Sequence, residues 1–87
     1  MQVAEILEVY GFAKKDDEVL KWAAGSLVWG YIAEVKPLGN DLYEVKYSEW
    51  LYDCDGEPVV DENSTQTLYG SQVLAFLFQR MPLKGRR

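Results

Sequence analysis

The chain has no histidine and only one cysteine, Cys54, among its 87 residues. Without imidazole there is no ordinary general base at neutral pH, no Ser-His-Asp or Cys-His arrangement, and few of the usual transition-metal ligands. One thiol cannot close a disulfide within the chain, and no histidine or cationic cluster stands beside it to activate it as a nucleophile. A lone cysteine also favours a reducing compartment. Gly25, Gly30 and Gly39 are too widely spaced for a phosphate-binding loop. No apolar run approaches the ~18 residues of a membrane helix; the longest is Val73 to Phe78. The start, Met1 to Glu5, lacks the basic-then-apolar pattern of a signal peptide. These absences lead us to expect a protein that is not an enzyme, with no catalytic residues, cofactor or metal, no membrane contact, and a cytoplasmic or otherwise intracellular location.

Positive charge is also scarce. The formal net charge is −5. Asp41, Glu44, Glu49, Asp53, Asp55, Glu57, Asp61 and Glu62 crowd one stretch with Lys46 as its one cation, while Arg80, Lys84, Arg86 and Arg87 gather at the C-terminus. Neutralisation of phosphates by Lys and Arg dominates nucleic-acid affinity, so the acidic body argues against direct DNA or RNA binding. Asp53-Cys54-Asp55-Gly56-Glu57, with Asp61 and Glu62 behind it, could supply oxygen ligands to calcium. The EF-hand needs its glycine at the sixth loop position, however, and Gly56 comes too early after Asp53.

What the chain does have is apolar and aromatic content, 48% and 14% of residues. That is ample for one compact core, and the length suits a single domain. We expect this domain over residues 1–79, with a basic flexible tail over 80–87. Val3, Ile6, Leu7 and Tyr10 recur with the spacing of a short helix, closed by Gly11. Glu18 to Ala23 reads as a strand or a short helix, the strand fitting the downstream pattern better. Leu27 to Lys36 is rich in β-branched and aromatic residues, and Leu42 to Glu49 alternates strictly; with turn chemistry at Pro37 to Asp41, the two form an antiparallel hairpin. Ile32 and Val35 differ in parity, so both can face a core only if the strand bends or carries a bulge near Ala33-Glu34. Gly30 inside the strand predicts a close backbone approach or tight curvature. Trp50 to Asn63 reads as a long acidic connection whose opening trio, Trp50-Leu51-Tyr52, can extend the preceding strand by a few residues. Thr65 to Tyr69 reads as a further strand, and Val73 to Phe78 as a closing strand or short helix, which periodicity cannot separate.

The hairpin and its flanks resemble the Tudor and Agenet group of SH3-like barrels. Lys15-Asp16-Asp17-Glu18-Val19 is similar to the group's opening strand, Trp29-Gly30-Tyr31-Ile32-Ala33-Glu34-Val35 to its second, Tyr43-Glu44-Val45-Lys46-Tyr47 to its third, and Ser71-Gln72-Val73-Leu74 to its closing turn. The resemblance spans roughly residues 15 to 78. It implies a mainly β fold, a small five-stranded antiparallel SH3-like barrel, here with a short N-terminal helix. It also implies an aromatic rim, with a cage for a methylated cation falling on Trp22 or Trp29, Tyr47, Trp50 and Asp53. The acidic segment and the N-terminal helix depart from the group's pattern.

The function expected from these features is binding of a basic peptide or protein surface through the aromatic rim and the acidic segment. Trp22, Trp29, Tyr47, Trp50, Tyr52, Asp53, Asp55 and Glu57 are the candidate partner-binding residues. A small acidic inhibitor of a nucleic-acid-binding protein, working by charge mimicry, is the alternative. Homodimerisation through Val73–Phe78 or the second strand stays open, because a small barrel can leave an edge unpaired.

Overall fold

The computed structural model describes residues 2–16 and 18–81. They fold as helix α1 (Val3–Val9), strands β1 (Ala13–Lys14), β2 (Leu20–Gly25), β3 (Trp29–Gly39), β4 (Leu42–Tyr52) and β5 (Pro58–Tyr69), and helix α2 (Gly70–Arg80). The strands form a single antiparallel meander in the order β1-β2-β3-β4-β5. The fold is mainly β, as the sequence indicates. The sheet is nevertheless open: β1 pairs with β2 and β5 with β4, and no pairing joins β5 back to β1. The closing strand expected at Val73–Phe78 is part of α2, which crosses one face of the sheet instead of sealing its edge.

Each element follows from local chemistry. In α1, Val3 and Leu7 are buried and Ile6 and Tyr10 half-buried, the predicted stripe. Gly11, at φ +111°, turns the chain so that the Phe12 N–H reaches the Leu7 carbonyl at 3.0 Å. The β3–β4 loop is Asn40-Asp41, with both residues at positive φ, 56° and 62°, the mirror-image turn that matches strand twist. The bulge lies at Pro37–Gly39 and not near Ala33-Glu34, where the register is unbroken. Strand parity resolves without a bulge there: Ala33 and Val35 enter the core, and Ile32 sits half-buried on the opposite face. In α2, Val73 and Leu77, one helical turn apart, are both buried, and the Gln72 side chain accepts the Tyr69 N–H at 2.9 Å.

The stretch expected to be a long acidic connection is almost entirely sheet. Trp50, Leu51 and Tyr52 finish β4, Pro58 to Asn63 begin β5, and the residues between them, Asp53 to Glu57, form the turn. Asp and Glu are poor strand formers, but on an edge strand with solvent beside it they meet little penalty. Arg80, placed in the tail by the sequence, closes α2, and Met81 is buried in the core; residues 82–87 of that tail lie outside the described residues.

One face of the sheet carries the core. Leu20, Ala33, Val35, Val45 and Tyr47 pack there against Val3, Leu7 and Phe12 and against Val73, Leu77 and Met81. This cover reaches only part of the way along strands of 11 and 12 residues. The molecule measures 45 × 24 × 23 Å, with the helices at one end and the β2–β3 and β4–β5 turns at the other.

Candidate functional site

Antiparallel register decides which side chains meet beyond the helices. Across β2 to β5, Trp22, Ala33, Tyr47 and Ser64 form the last row under the core. The next row is Ala24, Tyr31, Glu49 and Glu62, and the one after it Trp29, Leu51 and Val60. Neither of these outer rows holds a fully buried residue. Trp22, Tyr31 and Trp29 run out along this face as a ladder of rings, with centroids 6.4 and 6.5 Å apart. Beside the ladder, Trp29, Gly30, Tyr31, Glu49, Trp50 and Leu51 line a shallow depression of about 210 Å³.

Glu49 and Glu62 stand directly opposite each other on β4 and β5. Like charges in that position oppose folding by a few tenths of a kcal/mol, roughly 0.2–1. Among the described residues no lysine or arginine pairs with either; Lys15 and Glu34, 3.2 Å apart, form an ion pair elsewhere. The Tyr47 hydroxyl donates to Glu49 Oε1 at 2.7 Å from beneath the core edge. Burial of that phenol, then its hydrogen bond to Glu49 and the negative field of Glu49 and Glu62, hold its pKa well above the usual 10.0. The folded state therefore keeps the phenol proton more tightly than the unfolded chain does. The stability this contributes is complete below pH 10 and is lost progressively above it. We expect the thermal midpoint of the wild type to fall more steeply above pH 10 than that of Tyr47→Phe. Parallel profiles by circular dichroism would remove Tyr47 as the alkaline trigger.

The two distal turns are tied together. The Tyr52 N–H donates to the Val28 carbonyl at 2.8 Å, and the Trp50 indole Nε1–H to the Ser26 carbonyl at 2.8 Å. The Trp50 ring lies across Gly30 on the uncovered face, where a Cβ would collide with it. This is the close approach that the glycine signalled in the sequence. Around these ties the apolar surface is open: Leu27 is 93% exposed, Val59 61%, Val28 52% and Trp29 48%.

The predicted site residues are thus divided. Trp29 and Trp22 lie on the helix-covered face, Trp50 and Tyr52 on the opposite one, and Tyr47 is sealed in the core at 1% exposure. Asp53, Asp55 and Glu57 share the β4–β5 turn, all exposed. Asp53 works internally: its Oδ1 accepts the N–H groups of Asp55 and Glu57, each at 2.9 Å, and so shapes the turn. Sequence reasoning missed Glu49 and Glu62, which share one cross-strand row with Tyr31. Parity along β3 and β4 carried the signal for Tyr31 and Glu49, whereas Glu62 needed the β5 register. A second concavity, about 240 Å³ between α1 and strands β1 to β4, is lined mainly by apolar side chains together with the polar Gln2, Lys14 and Glu18, and contains none of the predicted residues. Among the described residues no cluster of acids, cysteine or histidine is arranged to hold a metal, and no helix is long and apolar enough to cross a membrane. Comparison of the chain with protein-family models, curated proteins and solved structures returns no match.

Proposed function

We propose that this chain is a non-enzymatic protein-binding module that takes a basic peptide or protein surface on the distal half of its sheet. The observation that carries the reading is the row Tyr31, Glu49, Glu62, in which Tyr31 packs half-buried at the edge of the core, lying beside exposed Trp29 and Leu51 and half-buried Val60. A lysine or arginine laid there finds aromatic faces and two carboxylates that repel each other in its absence. Cation–π attraction supplies ~0.5–2 kcal/mol, and charge pairing relieves the Glu49–Glu62 repulsion. Asp55, Glu57 and Asp61 at the tip add long-range steering. The Tudor and Agenet resemblance enters this proposal only for β3 and β4, which hold its motifs Trp29 to Val35 and Tyr43 to Tyr47. Action inside the cell fits an exposed Cys54 kept as a free thiol.

Selection of short random peptides on the immobilised protein tests the reading. The selected peptides are expected to be rich in Lys or Arg next to an apolar anchor. Trp29→Ala should weaken them about tenfold, the scale of a buried aromatic contact. Asp55→Asn with Glu57→Gln should slow association and flatten its salt dependence; Asp53 is left intact because it shapes the turn. Peptides without basic residues, or peptides indifferent to Trp29→Ala, would sink the proposal. Displacement of the selected peptides by Glu49→Gln/Glu62→Gln protein as well as by wild type would remove the paired carboxylates from it.

A further inference from the structure

Strand β5 forms one edge of the sheet and is 12 residues long, while the opposite edge ends in β1, which has only 2. Natural sheets protect such edges with lysines, prolines, bulges or brevity. Along β5 the one proline is its first residue, the bulge sits at the same end opposite Leu51/Tyr52, and Asn63 to Tyr69 carries no charge at all. The outward row of backbone groups follows from alternation. The Tyr52 N–H points to β3 and the Gly70 N–H points to the Asp41 carbonyl. Odd-numbered residues of β4 therefore bond to even-numbered residues of β5. Asp61, Asn63, Thr65 and Thr67 consequently present their N–H and C=O groups to the free edge.

We propose that two copies of this chain join their β5 strands antiparallel about a twofold axis at Ser64, forming one continuous sheet. Two observations favour a second copy over a foreign strand. In this register Asp61 faces Thr67, Glu62 faces Gln66, Asn63 faces Thr65 and Val60 faces Leu68 of the other copy, so no like charges meet. A shift of the axis to Glu62 would set the two Glu62 carboxylates against each other. The second observation is Ser64 itself. Among the described residues, its Oγ is the buried side-chain polar atom without a hydrogen-bond partner. At the axis the two Ser64 residues form a pair that is not backbone-bonded, in which facing side chains come closest, with Cα atoms roughly 4.5 Å apart. Rotation about χ1 brings each hydroxyl out of its buried position toward the axis, where one donates to the other. The axis stands perpendicular to the sheet, so the helix-covered faces fall on one side and the two distal tips point in opposite directions. This inference does not depend on what the tips bind.

Light scattering on the wild-type chain, at micromolar to submillimolar concentration, should report twice the chain mass. Thr65→Pro removes an outward N–H that β4 does not use, and should give a single-chain mass with an unchanged near-ultraviolet dichroism spectrum. Should that variant fail to fold, cysteine pairing decides. On a Cys54→Ser background, Ser64→Cys should oxidise readily to a covalent dimer and Gln66→Cys should not, because the two Gln66 positions lie several residues apart in this register. A wild type of single-chain mass throughout, a folded Thr65→Pro that remains dimeric, or equal cross-linking at residues 64 and 66 would each overturn the proposal. A single-chain wild type that binds a lysine-rich extended peptide along β5 would assign the edge to another protein.

Discussion

Replacing Tyr47 with Ala is expected to leave most of the chain unfolded at room temperature. Tyr47 is the largest of the side chains that are almost wholly buried, and its ring meets Phe76 of α2 edge-on, with centroids 5.6 Å apart. It thus fastens the helix to the central strand of the β3-β4-β5 ribbon. Truncating a buried aromatic to Ala costs about 3–5 kcal/mol. At roughly 0.05–0.15 kcal/mol per residue a domain of this size has a net stability of about 4–13 kcal/mol, and toward the lower end of that range the loss is comparable with the whole. Tyr47→Phe keeps the ring and surrenders only the hydrogen bond to the Glu49 carboxylate, about 1.5–3 kcal/mol. Urea titration followed by near-ultraviolet dichroism should show a cooperative transition for Tyr47→Phe and little or none for Tyr47→Ala. A Tyr47→Ala protein with a wild-type midpoint would mean that the ring is not structural and remains available to a partner.

The contrast between Tyr47 and Trp29 shows what the sequence could and could not reveal. Both are aromatic residues on adjacent strands, and composition treats them alike. Their roles differ because Tyr47 lies in the row that α2 covers and Trp29 lies two rows beyond it. Helix coverage depends on where α2 begins and ends. Val73 to Phe78 is apolar at nearly every position and so satisfies the strand period and the helix period together. Elements with one dominant local signal were legible: α1 through its stripe and Gly11, and the β3–β4 hairpin through alternation and Asn40-Asp41. The β5 half of the distal hairpin was not, because Asp61, Glu62 and Asn63 argue locally for a loop while long-range pairing with β4 prevails. The same register that overrules propensity there also places Glu49 against Glu62. That pairing links residues 13 apart in sequence and no periodicity announces it.

The second large effect is expected at Gly30. An alanine Cβ there would enter the Trp50 ring and approach the Ala24 carbonyl oxygen to 2.8 Å. The indole cannot swing aside freely, because its Nε1–H is held by the Ser26 carbonyl. Overpacking of this kind costs about 1–3 kcal/mol, against which Ala recovers roughly 0.5–1 kcal/mol of the backbone entropy that glycine loses in a strand. The net destabilisation of about 1–2 kcal/mol should lower the thermal midpoint by roughly 5–15 °C in a domain this small. Part of the cost is shared with Trp50, so Gly30→Ala and Trp50→Leu should be non-additive. The double variant is expected to be more stable than the sum of the singles by about 0.5–3 kcal/mol, the range for residues in contact. Relief will be incomplete, since the Ala24 backbone stays in place. Strict additivity would mean that the ring does not rest on Gly30. Because Trp50 also joins the two distal turns, Gly30→Ala should speed hydrogen exchange at the Tyr52 N–H before it affects the amides of β4 beneath α2. Equal acceleration at both places would show that the glycine supports the whole sheet and not the tip.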